Sequence, residues 1–201
     1  MPYRRTSAVQ ARLDADRERV FTSAIEVLSQ RGYRGLSIAT VAAAARVSAG
    51  SVYTHFASKS DLVVAIFREV CGREVRAVAD AGSFGDVVER VTAIVETFAG
   101  RAMKNRTLAY ALLAEPVDPA VDVERLVFRR AFTDAIAGAI SAGIASGDIP
   151  EQNVHVTAAG LVGAVGEVLV GPLGPERTPG ADVVPDLVAF ALRSLGVRHD
   201  R

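Results

Sequence analysis

An all-α fold of about nine helices is predicted, with a three-helix N-terminal unit followed by a longer helical body. Three observations carry this. Half of the 201 residues are hydrophobic, enough for a packed core. Apolar residues recur at helical spacing, and no strand-like alternation of any length is present. The periodic segments are separated by capping residues and by Gly and Pro at helix-sized intervals.

The first segment spans Asp14 to Gln30, with Val20, Phe21, Ala24, Ile25 and Leu28 forming its apolar stripe. Asp14, Asp16 and Glu18 fall in its expected first turn, where acids favour the positive helix end, and Gly32 suits its C-terminal cap. Ser37 caps a short helix that runs through Ala45, and Ser48 caps another that ends near His55 or Phe56. Ser58-Lys59-Ser60-Asp61 is a capping pattern ahead of Leu62, Val63, Ile66, Phe67 and Val70, in a helix expected to reach Val78. Asp80 to Ser83 breaks the pattern. Val87, Val91, Ile94, Val95, Phe98 and Ala102 mark a fifth helix, and a short sixth covers Thr107 to Glu115 before Pro116 and Pro119. The seventh, Val121 to about Ala145, is apolar on two faces and so is expected to be buried on two sides. Pro150 suits the first turn of the eighth, which is expected to end near Val170, and Val183 to Leu195 forms the last. The expected division is residues 1–60 as one domain and 61–201 as the other, joined by the helix at 58–78.

Net charge is zero, but its distribution is uneven. Residues 1–60 hold nine Lys/Arg against four Asp/Glu, a net of +5, and residues 61–201 balance this at −5. A basic head on an acidic body is suited to a polyanion. The single cysteine, Cys71, allows neither an internal disulfide nor a cysteine metal cluster, and the three histidines lack metal-ligand spacing. No metal or cofactor is therefore expected, and a reducing cytoplasmic setting is. The polar N-terminal stretch carries no signal-peptide pattern. Ala158 to Leu173 is strongly apolar, but it contains Glu167 and is interrupted by Gly171-Pro172, so no membrane span is expected. Gly-x-Ser-x-Gly, His-Glu-x-x-His and a Gly-x-Gly-x-x-Gly after a strand are all missing, which argues against an enzyme.

The most informative stretch is Ser37 to Phe56, two short helices joined by a tight turn. Ile38, Val41, Ala42 and Ala45 face inward on the first, and Val47, Val52 and Phe56 on the second. The outward set on the second helix is Ala49, Ser51, Tyr53, Thr54 and His55. It contains no carboxylate, so it can enter a DNA major groove without charge repulsion. On spacing alone, an ordinary helical hairpin with a polar outer face reads as well.

The run Val47-Ser48-Ala49-Gly50-Ser51-Val52-Tyr53-Thr54-His55-Phe56, followed by Ser58-Lys59 and Leu62, resembles the helix-turn-helix signature of the TetR family of regulators. Gly32-Tyr33 and Leu36-Ser37-Ile38 fit the family's link between its first two helices. The resemblance is strong over about residues 17–67, and beyond that it rests on helix order. It implies that Thr40, Tyr53, His55 and Lys59 contact phosphates and that Ser48, Ala49, Gly50, Ser51 and Thr54 lie near base edges. Tyr53 packing on the first helix, or His55 bonding within the domain, are the alternatives. Arg46 stands where the family usually has Gly, so either the turn is altered or Arg46 accepts a left-handed backbone and faces the DNA. Arg4 and Arg5 are candidates for a minor-groove arm, with disorder as the alternative.

For the body, the resemblance implies a homodimer through the last two helices, binding a palindromic double-stranded operator. Gly160, Val162, Gly163, Leu169, Leu187, Val188 and Ala191 are the interface candidates. It also implies a small-molecule inducer that is mostly apolar, with Phe98, Met103, Tyr110, Leu113, Phe128, Phe132, His155 and Glu167 as candidate lining residues. Glu167, a carboxylate on an apolar helix, needs a partner: a ligand, a cross-dimer cation or water. Repressor is the expected role.

Overall fold

The computed structural model describes residues 7–175 and 182–197. Among these, α1 (Ser7–Gly35), α2 (Ile38–Ala45) and α3 (Ala49–His55) form the head, and α4 (Lys59–Ala81) leads out of it. The body follows as α5 (Val87–Lys104), α6 (Arg106–Leu113), α7 (Pro119–Ser146), α8 (Val154–Leu173) and α9 (Val184–Ser194). No strand occurs among the described residues, so the all-α expectation holds.

Two apolar cores organise the chain. The first gathers Val20, Leu28, Leu36, Val41, Val52, Leu62, Ile66 and Phe67, all essentially inaccessible to water, around the head. Full burial of side chains of this size stabilises by about 1.5–3 kcal/mol each. The same cluster takes in Ala111 of α6 and Val121 of α7, so the body completes the head's core. The second core runs through α5, α7, α8 and α9, with Ile94, Ala99, Ile140, Leu161, Leu169 and Leu195 at its centre. α4 serves both, with Leu62 to Cys71 in the first cluster and Val78 in the second.

Two helix starts differ from the sequence reading. α1 is already helical at Ser7, the first described residue, so Asp14, Asp16 and Glu18 lie inside the helix rather than in its first turn. Residues 7–13 carry no apolar stripe, so periodicity has nothing to register there, although Ala, Gln, Arg and Leu all favour helix. Asp16 instead pairs with Arg19 at 2.8 Å and Asp14 accepts from Gln10 at 2.9 Å. α8 begins at Val154, capped by Asn153, whose side chain accepts from the Val156 amide at 3.0 Å. Pro150 lies before it, packed against Gly196.

α8 also continues through Gly171-Pro172 to Leu173, giving 20 residues of mean hydropathy 1.7. By length and mean hydropathy alone the helix is therefore long and apolar enough to cross a membrane, with Glu167 within it. A proline this near the C-terminus removes a single ladder bond, and Gly174 closes the helix by donating to the Val170 carbonyl at 2.9 Å.

Candidate nucleic-acid interface and sensing body

Ser37 opens α2 with an extended backbone, and its side chain accepts from the Thr40 amide at 3.1 Å. Thr40 answers through its hydroxyl oxygen, which accepts from the Ser37 amide at 2.9 Å. The Thr40 hydroxyl is thus engaged in a capping box, which competes with the phosphate contact expected of it. α2 ends at Arg46, whose backbone is left-handed (φ 55°, ψ 45°) and whose amide bonds back to Ala42 and Ala43. Arg46 is the one non-glycine with positive φ among the described residues. The turn keeps the shape a glycine would give it, at a cost of roughly 1 kcal/mol. The Arg46 side chain is exposed and makes no hydrogen bond or ion pair among the described residues.

Ser48 caps α3 by accepting from the Ser51 amide at 3.1 Å, and the two hydroxyls lie 2.9 Å apart. Val52 faces fully inward and Phe56 closes the helix, stacked on Phe21 with ring centroids 6.3 Å apart and Arg17 over its ring. Ser48, Ala49, Gly50, Tyr53 and Thr54 are exposed, and Ser51 and His55 are partly so. Tyr53 is 54% exposed. The Thr54 hydroxyl donates to the Gly50 carbonyl at 3.1 Å. A Cβ built on Gly50 would meet only the Ser48 hydroxyl, at an ordinary 3.6 Å. Nothing within the chain requires glycine at this position.

Lys59, the first residue of α4, holds its ammonium 3.9 Å from the Tyr33 ring centroid and 3.4 Å from the Tyr33 carbonyl. Tyr33 is buried. Burial first, and Asp118 second, push its hydroxyl's pKa up to about 12. Arg4 and Arg5 lie outside the described residues.

In the body, Phe98 and Phe132 meet edge to face at 5.0 Å. These two, with Met103, Tyr110 and Leu113, pack partly buried against the C-terminal core. Phe128 packs instead against the head-side core. His155 and Glu167 are exposed on α8, so neither joins an internal lining. An open cleft of about 790 Å³ between α5 and α9 is lined by Met103, Gly100, Arg106, Val184, Val188 and Leu192, among others. Of the expected ligand residues, Met103 alone reaches it.

The interface candidates divide by orientation. Leu169, Leu187 and Ala191 are buried in the chain's own core, so they hold α8 and α9 to the body rather than facing outward. Val162 and Val188 are half-buried at its edge. Gly160 and Gly163 are exposed, and no atom lies within 4 Å of a Cβ built on either, or on Gly166. Val156, 68% exposed, and Ala159 extend this small, apolar surface.

The sequence reading missed Glu115 and Arg125. Glu115 is a buried carboxylate that accepts the Tyr33 amide at 2.8 Å and the Arg34 amide at 3.0 Å. Arg125 donates to the Leu112 carbonyl at 2.8 Å, the Ala111 carbonyl at 3.0 Å and the Glu115 carbonyl. A lone Glu before Pro116 and an Arg within an apolar helix give no sequence signal of such reach, because their partners lie on other elements.

Residues 20–66 match the family described as bacterial regulatory proteins, tetR family. The fatty acid metabolism regulator protein of Bacillus subtilis is 22% identical over 135 residues, 66% of this chain and 70% of that protein. A tetR-family regulatory protein from Rhodococcus RHA1 superposes with a TM-score of 0.70 at 23% identity, covering 92% of this chain and 98% of that one. The regulator FadR of Bacillus subtilis, solved in complex with stearoyl-CoA, superposes with a TM-score of 0.75 at 18% identity, covering 90% and 99%. The likeness in fold covers nine-tenths or more of the chain, and within it residues 20–66 carry the match to the tetR family of bacterial regulatory proteins.

Proposed function

We propose that the chain is a cytoplasmic repressor that binds a palindromic operator as a homodimer and leaves it on binding a mostly apolar small molecule, with long-chain acyl-CoA the first class to test. The observation that carries the DNA reading is the outer face of α3. It is exposed, free of carboxylates, and built around a glycine that the chain's own packing does not require. Ser48, Ala49, Gly50, Ser51 and Thr54 are read as lying along base edges, with Tyr53, His55, Lys59 and Arg46 on phosphates. Thr40 is a lesser candidate, since its hydroxyl is already engaged.

The uncovered α8 surface supports the dimer. Gly160 and Gly163 have no neighbour of their own, and an apolar helix that is only 28% buried lacks a cover. The same helix in a second copy, meeting it through the small residues, supplies one. The ligand class is supported by the relatives, one of which was solved with stearoyl-CoA, and by the partly buried group Phe98, Met103, Tyr110, Leu113 and Phe132. A ligand acts only by binding the state that does not hold DNA more tightly than the state that does.

The test is selection of duplexes from a random library, followed by gel shift with and without stearoyl-CoA across a salt series. Palindromes are expected, with a log–log salt slope of about −5 for roughly three phosphates per subunit. Lys59→Ala is expected to weaken all sequences alike and flatten that slope, and stearoyl-CoA to release the duplex. Selection of no sequence at all overturns the DNA reading, and a complex indifferent to acyl-CoA overturns the ligand class.

A further inference from the structure

The head meets the body at a three-residue turn that closes α1. Gly32 has φ 65° and ψ −174°, a conformation open in practice to glycine alone. It takes the Tyr33 and Arg34 amides out of the helical ladder and aims both at one carboxylate. Tyr33 donates to Oε2 of Glu115 at 2.8 Å, and Arg34 to Oε1 at 3.0 Å. Glu115 lies more than 80 residues away in sequence and is only 7% exposed. A Cβ on Gly32 would stand 2.8 Å from Oε2, so the turn is fitted closely around the carboxylate. Two backbone donors on one buried anion make a strong, directional pair.

Glu115 is also held from behind. Its amide donates to the Tyr110 carbonyl at 3.0 Å and its carbonyl accepts from Arg125, which grips the end of α6 as well. On the far side of the turn, the Tyr33 carbonyl accepts from Lys59 at the start of α4. A carboxylate anchored in the body therefore grips the backbone of the head one residue away from a group read above as a phosphate contact.

We propose that Glu115 is a positioning residue: it fixes the angle at which the DNA-reading head sits on the body, and so sets the half-site spacing that the dimer accepts. This rests on the dimer-on-palindrome reading. In a two-headed binder the affinity gained from engaging both half-sites is lost when geometry forbids it. One inserted base pair both lengthens the span and rotates one half-site about the helix axis. A clamped head cannot follow that change, whereas a head loosened at this turn can.

The experiment uses the full-length chain, Glu115→Gln, and the palindrome that the wild type selects from a random library, with one or two base pairs added or removed at its centre. The wild type is expected to lose about 100-fold in affinity on a spacing change, and Glu115→Gln about tenfold or less. Amide hydrogen exchange is measured alongside. Tyr33 and Arg34 are expected to exchange at least about tenfold faster in Glu115→Gln, with Val20 to Leu28 unchanged. Should Glu115→Gln lose its helical circular dichroism, Glu115→Asp, too short to reach both amides, is expected to show the same pattern. A spacing profile as steep as that of the wild type in a folded variant, or unchanged exchange at Tyr33 and Arg34, overturns the proposal. A wild type with no spacing dependence strikes the palindrome reading instead, and the amide exchange then decides the role of Glu115 alone.

Discussion

Gly50 and Arg46 lie at the same end of α3, and their backbones pose opposite questions. Gly50 is glycine in a helix that has room for a side chain, and Arg46 is a side chain where the backbone favours glycine. Gly50→Ala is expected to stabilise the fold by about 0.5–1 kcal/mol, since alanine loses less freedom in a helix and meets no clash. It is also expected to weaken operator binding, because the added methyl stands on the face read as closest to the bases. Thermal melts and gel shifts on one preparation check both signs, and unchanged DNA affinity would remove Gly50 from the interface. The exposed face of α3 was legible in the sequence because a helix-turn-helix carries its whole pattern locally, in caps and an apolar stripe. Glu115 was not legible, because its role depends on Gly32, Tyr33 and Arg34 arriving from the other end of the fold.

At the scale of the helix, α8 carries the decisive question. Its inward face, Ala158, Leu161, Val165 and Leu169, is buried in the second core, and a stripe of that kind reads directly from sequence. The other face was read as an interface from its glycines. That reading mixed in Leu169, Leu187 and Ala191, because a helix that is apolar all round does not reveal which side meets its own body. Gly163→Leu separates the possibilities. No atom of the chain lies near a Cβ at Gly163, so leucine costs the monomer little. Between two closely apposed helices it overpacks by about 1–3 kcal/mol. Sedimentation is expected to show dissociation, with helical content retained. A variant that stays dimeric would move the interface elsewhere.

For the molecule as a whole, two buried protons tie stability to pH. Burial first, and Glu74 second, push the Cys71 thiol up to about 12 from an ordinary value of 9.0, and Tyr33 is likewise raised to about 12 from 10.0. The folded chain therefore keeps protons that the unfolded chain releases. The stability they contribute is full below about pH 9 and is lost as pH rises towards 12. The urea midpoint is expected to fall steadily between pH 9 and 11, and Cys71 to resist thiol reagents at pH 8 until the chain unfolds. A midpoint that is level over that range would contradict the assignment. Fold class and helix order were legible at this scale. The start of α8 was not, because Pro150 suits a helix's first turn as well as Asn153 suits its cap.

The first core has a further consequence for recombination. Ala111 and Val121, from the body, close the packing of a head whose own helices end at His55. A chimera that takes a new reading head at the visible seam, just before Ser58, keeps the body's half of that packing and receives a stranger's half. It also brings a foreign turn to Glu115. A graft that is to read its new operator with the original geometry has to carry α4, the residues around Glu115, and the start of α7 as well. What can be exchanged between such regulators is a non-contiguous set of segments rather than a stretch of chain.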